Sequence, residues 1–436
     1  MKAKILPISI ALACGIATAY AANTNQVASV NSNTTSNDKQ VITSQTTSKA
    51  DNTTNTQSNL DANNQSSQSS GLSGVNWDLN GVKFNLHGFM STGMTLSDSS
   101  SQYNIPGHGN VNQDANFSTP SLFGLQLNTQ ITDKLSFMTQ IVADGDNTNG
   151  NTAYTPTVNW MYAQYQVNPN IAVRAGRFQL PLFLYSQEIE VGYNYPYTFL
   201  PNEVYRLIPF YSLNGVNLLL QTNLGDSGWN VSFQPFFGES SWDYDAVLNI
   251  GSGMSSVQEL GFQGNKLFGG DLTFSNTIFK VHASYAQTEV ETTSVPSGSP
   301  TPKDQTGRFY SVGGEMNYDN IWASSEFASR KLDAPYAALN AYYFSLGYHI
   351  EKFLPYINYA KLYTTNWNEL TDYGPGAEVA QGQSSVTLGL NYYYNANLVL
   401  KGSWSYIMPD QGGYGLFQTK PDGNVNLFTV SASLIF

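Results

Sequence analysis

From Val82 to the end of the chain, apolar side chains recur at every second position. The clearest run is Phe123-Gly124-Leu125-Gln126-Leu127-Asn128-Thr129-Gln130-Ile131, with Phe, Leu, Leu, Thr and Ile on one face and Gly, Gln, Asn and Gln on the other. Val216, Leu218 and Leu220 alternate with Asn217 and Gln221, and Val386, Leu388, Leu390 and Tyr392 with Thr387, Gly389 and Asn391. A period of two predicts strands with unlike faces. A water-soluble sandwich alternates in the same way, but its polar face faces water and usually carries Lys and Glu. Here the polar face is mostly uncharged amide and hydroxyl, which fits an outer wall in hydrocarbon and an inner wall in water.

The connections argue independently for the same architecture. Short segments with good turn chemistry occur at Thr132-Asp133-Lys134, Asn168-Pro169-Asn170, Gly225 to Gly228, Ser275-Asn276, Asp319-Asn320, Glu351-Lys352 and Asn395-Ala396-Asn397. Between them lie long stretches: 97–116, 182–213, 290–307, 364–384 and 409–425. Leu332 to Pro335 is short where a long one is expected. Short turns at one rim and long loops at the other predict an all-β, transmembrane antiparallel barrel of about sixteen strands, between about fourteen and about eighteen. The region from Gly238 to Phe268 could hide a further hairpin. Closure is compelled, because an open strand edge in hydrocarbon leaves backbone N–H and C=O groups unpaired. Clusters such as Tyr392-Tyr393-Tyr394, Tyr342-Tyr343-Phe344, Trp404 with Tyr406 and Trp160 with Tyr162 suit interfacial girdles, although some of these rings must face the lumen.

The N-terminus and composition narrow the class. Lys2 and Lys4, an apolar run from Ile5 to Ala13 and Ala19-Tyr20-Ala21 read as a secretory signal peptide over residues 1–21. Leu12-Ala13-Cys14-Gly15 faintly suggests a lipoprotein site, with the leucine one position too close to the cysteine. Cleavage after Ala21 leaves no cysteine, which excludes disulfides, zinc thiolates and thiol catalysis. Residues 22–72 are mostly Asn, Thr, Ser, Gln and Ala, too poor in apolar groups to offset the entropy of ordering, and read as a disordered periplasmic segment. The barrel then occupies 73–436. Only 11% of the 436 residues are charged, and beyond the signal no apolar run approaches the length a membrane helix needs. The net charge of −12 argues against a nucleic-acid partner. Phe436, with Leu434, Ala432, Val430 and Phe428 behind it at steps of two, resembles the terminal signal read by the barrel assembly machinery of the outer membrane.

The segment Leu180 to Gly215, the third long loop, is too rich in Phe, Leu, Tyr, Ile and Pro to hang freely in water. Architecture and loop position resemble the bacterial porin superfamily, in which the third extracellular loop folds into the barrel and narrows it. The run Ala175-Gly176-Arg177-Phe178-Gln179-Leu180-Pro181-Leu182 is similar to the strand-to-loop entry of the phosphate-selective O and P type. Two departures limit that resemblance: Pro-Glu-Phe-Gly-Gly is absent from the loop, and no lysine lies between Lys134 and Lys266. Phosphate selectivity is therefore not carried over.

Candidate constriction residues are Glu188, Glu190, Glu203 and Arg206 on the loop, with Arg174 and Arg177 on the strand leading in. Opposed charges across a narrow aqueous path would sort ions and polar solutes; each acid could equally pin the loop to the wall. Alternation turns Arg174 inward, where it avoids a cost of about 2–4 kcal/mol for arginine in hydrocarbon. Arg177 has the opposite parity and turns inward only if the chain bends near Gly176. His87, Lys280, His282, Glu315, Glu326, Arg330 and Lys401 also fall on the lumen face. For His87 the plainer role is a hydrogen-bonded wall residue.

The expected function is passive diffusion of small hydrophilic solutes in the outer membrane of a Gram-negative bacterium, with no catalytic residue, cofactor or metal required. The excess of acids suggests a mild cation preference. The resemblance implies a homotrimer embedded in outer-membrane lipid. Two other classes stand beside it: a plugged surface-interaction barrel using long loops such as 292–306, and a barrel enzyme, for which no Gly-x-Ser-x-Gly and no clear context at His87, His108, His282 or His349 is found.

Overall fold

A computed structural model describes residues 74–436 except 106, 146–152, 295–303 and 412. The signal peptide, Cys14 and the low-complexity segment 22–72 lie outside the described residues, as does most of the loop 292–306. The strands are β1 (Val75–Leu79), β2 (Val82–Ser97), β3 (Tyr103–Ile105), β4 (Gly109–Val111), β5 (Leu122–Gln130), β6 (Leu135–Asp144), β7 (Thr157–Asn168), β8 (Ile171–Gln179), β9 (Ser212–Asn223) and β10 (Asn230–Gly251). They continue as β11 (Met254–Ser275), β12 (Phe279–Ser294), β13 (Gln305–Tyr318), β14 (Ile321–Lys331), β15 (Leu339–Tyr348), β16 (Phe353–Thr364), β17 (Gln383–Tyr393), β18 (Leu398–Pro409) and β19 (Val425–Ile435).

Sixteen of these, β2 and β5 to β19, form one closed antiparallel sheet in which each strand pairs with its sequence neighbour and β19 returns to β2. Closure leaves no strand edge unpaired along the wall. No helix among the described residues is long and apolar enough to cross a membrane. The seam is tied below by a reciprocal pair, Gly88 N–H to Phe436 O at 2.7 Å and Phe436 N–H to Gly88 O at 2.9 Å. β1 continues this seam: it pairs with β2 from Val75 against Leu86 to Leu79 against Val82, on the edge that β19 occupies higher up. Asn80 and Gly81, both at positive φ, make the tight turn between β1 and β2.

The parity read from the sequence holds around the sheet. Phe123, Leu125, Val216, Leu218, Tyr342, Phe344, Leu388, Leu390, Phe428 and Val430 face outward and exposed, while Gln126, Asn217, Ser345, Asn391 and Thr429 face inward and buried. The seven short connections lie at one rim and the long ones at the other. Two aromatic assignments need correction: Trp160 and Tyr162, expected in a girdle, are buried inside. An extra residue at Asn159, where Gln140 faces Trp160 but Ile141 faces Val158, restores the outward direction above them.

The uncertain region 238–268 holds no further barrel strand. Instead β10 and β11 each run for 22 residues, about 70 Å at 3.2–3.4 Å per residue, and project past the long-loop rim. The hairpin leans over the mouth. Asn249 N–H bonds Ala377 O and Val379 N–H bonds Val247 O, adding the segment before β17 to its flank; Ser255 Oγ reaches Tyr414 Oη at 2.8 Å.

Candidate functional site: the loop-filled lumen

The segment 180–211 lies inside the barrel. Its apolar side chains Leu182, Phe183, Tyr185, Ile189, Tyr197, Val204 and Leu207 are buried against the inner wall. Apolar loop residues that would be costly in water find cover there, and the wall supplies rings to match. Tyr197 meets Trp322, Tyr343 and Tyr356 edge-on at 5.5, 6.1 and 5.7 Å; Phe183 packs on Phe309 at 5.1 Å.

An enclosed loop must satisfy its backbone polar groups, and the wall's polar side chains do so. Glu326 accepts the Leu184 N–H at 3.0 Å and the Tyr205 hydroxyl at 3.2 Å. His282 is held between Asp271 at 2.9 Å and Glu326 at 3.2 Å. Glu315 accepts from the Tyr185 hydroxyl. Lys280 donates to Leu184 O at 2.9 Å, and its ammonium lies 3.9 Å from Glu188. Ser284 and Ser311 both donate to Leu182 O, at 2.7 and 2.6 Å. Arg330 donates to Leu207 O and Ala337 O and faces Glu378 at 3.8 Å. Asn391 donates to Pro196 O at 2.8 Å. Lys401 gathers three carbonyls, Gly192, Tyr195 and Tyr197, and lies 4.9 Å from the Tyr195 ring.

The structure therefore brings Lys280, His282, Glu315, Glu326, Arg330 and Lys401 together as the docking groups of the loop. Arg174 faces inward below it, bonded to Gln164 at 2.7 Å and lying over the Tyr162 ring. Glu190 accepts from Asn159 at 3.1 Å; burial, reinforced by Asp144 and opposed by Asn159, raises its pKa to about 7. Glu203 accepts from Gln383 at 2.8 Å, and burial raises its pKa against that bond. Arg206 bonds Asn104 and the Tyr244 hydroxyl. His87 projects inward near the lower rim, against the backbone of Gly74, away from the loop's docking groups.

Arg177 stands apart from the expected group. Gly176 does take a positive φ, +132°, but the parity does not flip: Arg177 pairs across from Met161 and Asn214 on the outer face and donates to Val158 O at 2.9 Å. It is at the outer rim, not in the lumen. The sequence reading missed Asp271, Ser284, Ser311, Gln383 and Asn391. Their inward parity was available, but an inward polar side chain gives no sign of which loop carbonyl, carboxylate or wall imidazole awaits it.

No family model matches the chain, and no curated protein matches it. Solved structures match in fold. OmpF of Salmonella typhi, in complex with daunomycin, is 14% identical over 83% of this chain and 100% of that chain, with a TM-score of 0.54. The anion-selective porin from Comamonas acidovorans is 14% identical over 81% of this chain and 100% of that one, with a TM-score of 0.53. OmpT of Vibrio cholerae, an outer-membrane protein, is 11% identical over 83% of this chain and 100% of that one, with a TM-score of 0.52. At such identities the likeness establishes the fold alone: a porin-type barrel. The fold does not single out the O and P type suggested by Ala175 to Leu182.

Proposed function

We propose that this chain is an outer-membrane porin whose lumen is governed by the docked segment 180–211. The observation that carries this reading is the pairing of a wettable inner wall with a loop seated by a few discrete wall groups. Below the loop the inward positions are amide- and hydroxyl-bearing and partly exposed, as at Asn128, Gln130, Gln164, Gln166 and Gln221, which suits a water-filled vestibule. Small hydrophilic solutes would pass by diffusion, with the path set by how far the loop is seated. The chain would sit in outer-membrane lipid, assembled through the strand ending at Phe436, as a homotrimer.

The charge distribution supports cation preference. Glu239, Asp243, Glu259, Glu289 and Glu291 are exposed on the outward face of the upper parts of β10 to β12, where Lys266 pairs with Glu289 at 2.9 Å. An acidic outer surface beside the mouth raises the local concentration of cations. Reconstitution of the full chain in planar bilayers tests the whole reading: stepwise conductance closing in threes and a cation-selective reversal potential are expected. A clear anion preference refutes the selectivity.

A second reading, a closed surface-interaction barrel, is favoured by the near-complete burial of the inner wall at loop level, where Trp322 is 1% and Tyr343 0% exposed. Absence of conductance from correctly folded protein would decide for it. The enzyme reading is tested by whether any hydrolytic activity is lost in His108→Ala; His108 rests on the Phe199 ring at 5.1 Å.

A further inference from the structure

Two cations face each other on the outward side of the wall, just above its lipid-facing band. β13 turns Tyr310, Val312, Met316 and Tyr318 outward, exposed or partly so. From Tyr310 to Tyr318 the strand rises about 26 Å, and once tilted it crosses most of an apolar band about 25 Å tall, with a tyrosine at each boundary. Tyr285 of β12 lies directly opposite Tyr310, so the upper boundary is marked on two adjacent strands. Arg308 is the next outward residue above Tyr310, and Lys331 of β14 lies directly opposite Arg308. Both stand on the long-loop side.

Residues paired in this way hold their Cβ atoms about 4.5–5.5 Å apart, and like charges so placed destabilise a sheet. Neighbouring outward cations are answered, Lys266 by Glu289 at 2.9 Å and Lys361 by Asp410 at 2.6 Å. Arg308 and Lys331 have no carboxylate within 4.0 Å among the described residues. Arg308 Nε donates to Gln287 Oε1 at 3.4 Å, which leaves the terminal nitrogens of the fork to a ligand, and Lys331 Nζ reaches Thr365 Oγ1 at 3.4 Å. Asp304 and Asp333 lie beyond the pair, on the loop side. An anion between the two cations turns their repulsion into attraction, and a phosphate suits both: the guanidinium binds it as a planar fork, the ammonium as a point charge. Directly beneath, the outward rings of Tyr310 and Phe327, 6.1 Å apart, offer apolar surface that a lipid's chains can use and a free ion cannot.

We propose that Arg308 and Lys331 together bind the phosphate of an outer-leaflet lipid headgroup, with the lipid's chains lying against Tyr310 and Phe327. The assignment rests on the seat of the barrel in the outer membrane and not on conduction through it. Binding and conductance are read separately, so either can fail alone.

The test is native mass spectrometry of the delipidated full chain in detergent, titrated with diphosphorylated lipid A and with the same lipid stripped of its phosphates. A saturable adduct that needs the phosphates is expected. Arg308→Gln combined with Lys331→Gln should weaken it about tenfold to a hundredfold, the range for a lost charge-assisted hydrogen bond. Lys134→Gln combined with Lys352→Gln removes the same charge from exposed turns at the opposite rim and should leave it unchanged. Should the first variant fail to fold, Lys331→Gln alone must give a loss that Lys352→Gln does not. Equal loss in both double variants would show general charge attraction and overturn the proposal, as would equal affinity for the stripped lipid. Displacement of the lipid by inorganic phosphate at the lipid's own concentration would assign the pair to a free anion and overturn the lipid.

Discussion

Lys401→Met separates a seated loop from one that merely rests in the barrel. Methionine keeps the apolar stem and removes the ammonium that serves the Gly192, Tyr195 and Tyr197 carbonyls. Three buried acceptors stranded at about 1–3 kcal/mol each would cost about 3–9 kcal/mol. Against this, the variant no longer buries an ammonium, a saving of several kcal/mol. The net loss of local docking is about 3 kcal/mol, which at 1.4 kcal/mol per tenfold is about 10²-fold in the population of the released segment. Hydrogen exchange reads this directly. The Val191 and Asn194 amides, bonded to Glu188 O and Val191 O, should exchange faster by that factor, while amides of β13 to β16 keep their protection. In bilayers the same variant should show larger or more persistent open levels. Unchanged exchange at Val191 and Asn194 would refute the reasoning and assign the seating to the Tyr197 ring cluster and the remaining wall groups.

Glu326→Leu removes the acceptor shared by Leu184 N–H, Tyr205 and His282 and should lower stability by about 3–5 kcal/mol, whereas Glu326→Gln, which retains an acceptor, should cost about 1–2 kcal/mol; denaturant unfolding in detergent measures both. Glu190, with its folded pKa raised to about 7 from 4.5, binds more protons folded than unfolded between those values, so stability should fall as pH rises through that window. Glu190→Gln should flatten that slope, and an unchanged pH profile would contradict the enclosed position given to the carboxylate. Gly88→Val places a Cβ 2.2 Å from the Phe436 ring; overpacking of this kind costs about 1–3 kcal/mol and should reduce the folded, slow-unfolding fraction on heating, with Phe436→Leu partly restoring it.

The barrel was legible because hydrocarbon and water impose their difference on every second residue, so strand number, turn placement and the inward parity of Arg174, His282, Glu326 and Lys401 could be read locally. The position of the loop was legible from its apolar content. Its seating was not: that Lys401 meets carbonyls more than 200 positions earlier in the chain depends on closure, which no local pattern encodes. Trp160 and Tyr162 were misplaced because aromatic rings suit both a lipid boundary and an aromatic interior; their unbroken alternation with Gln164 turns them inward, and the bulge at Asn159 acts only above them. The length of β10 and β11 was hidden because above the membrane rim the outward face need no longer be apolar, and Asp243, Asp245 and Glu259 break the signal there.

The groups that seat the loop belong mostly to strands made after it. Residues 180–211 find their partners on β12, β14, β17 and β18, so the segment has no berth until those strands have paired. Its insertion must follow the assembly of that part of the wall. Until then a chain in transit would carry a sticky, tyrosine-rich span in need of shelter.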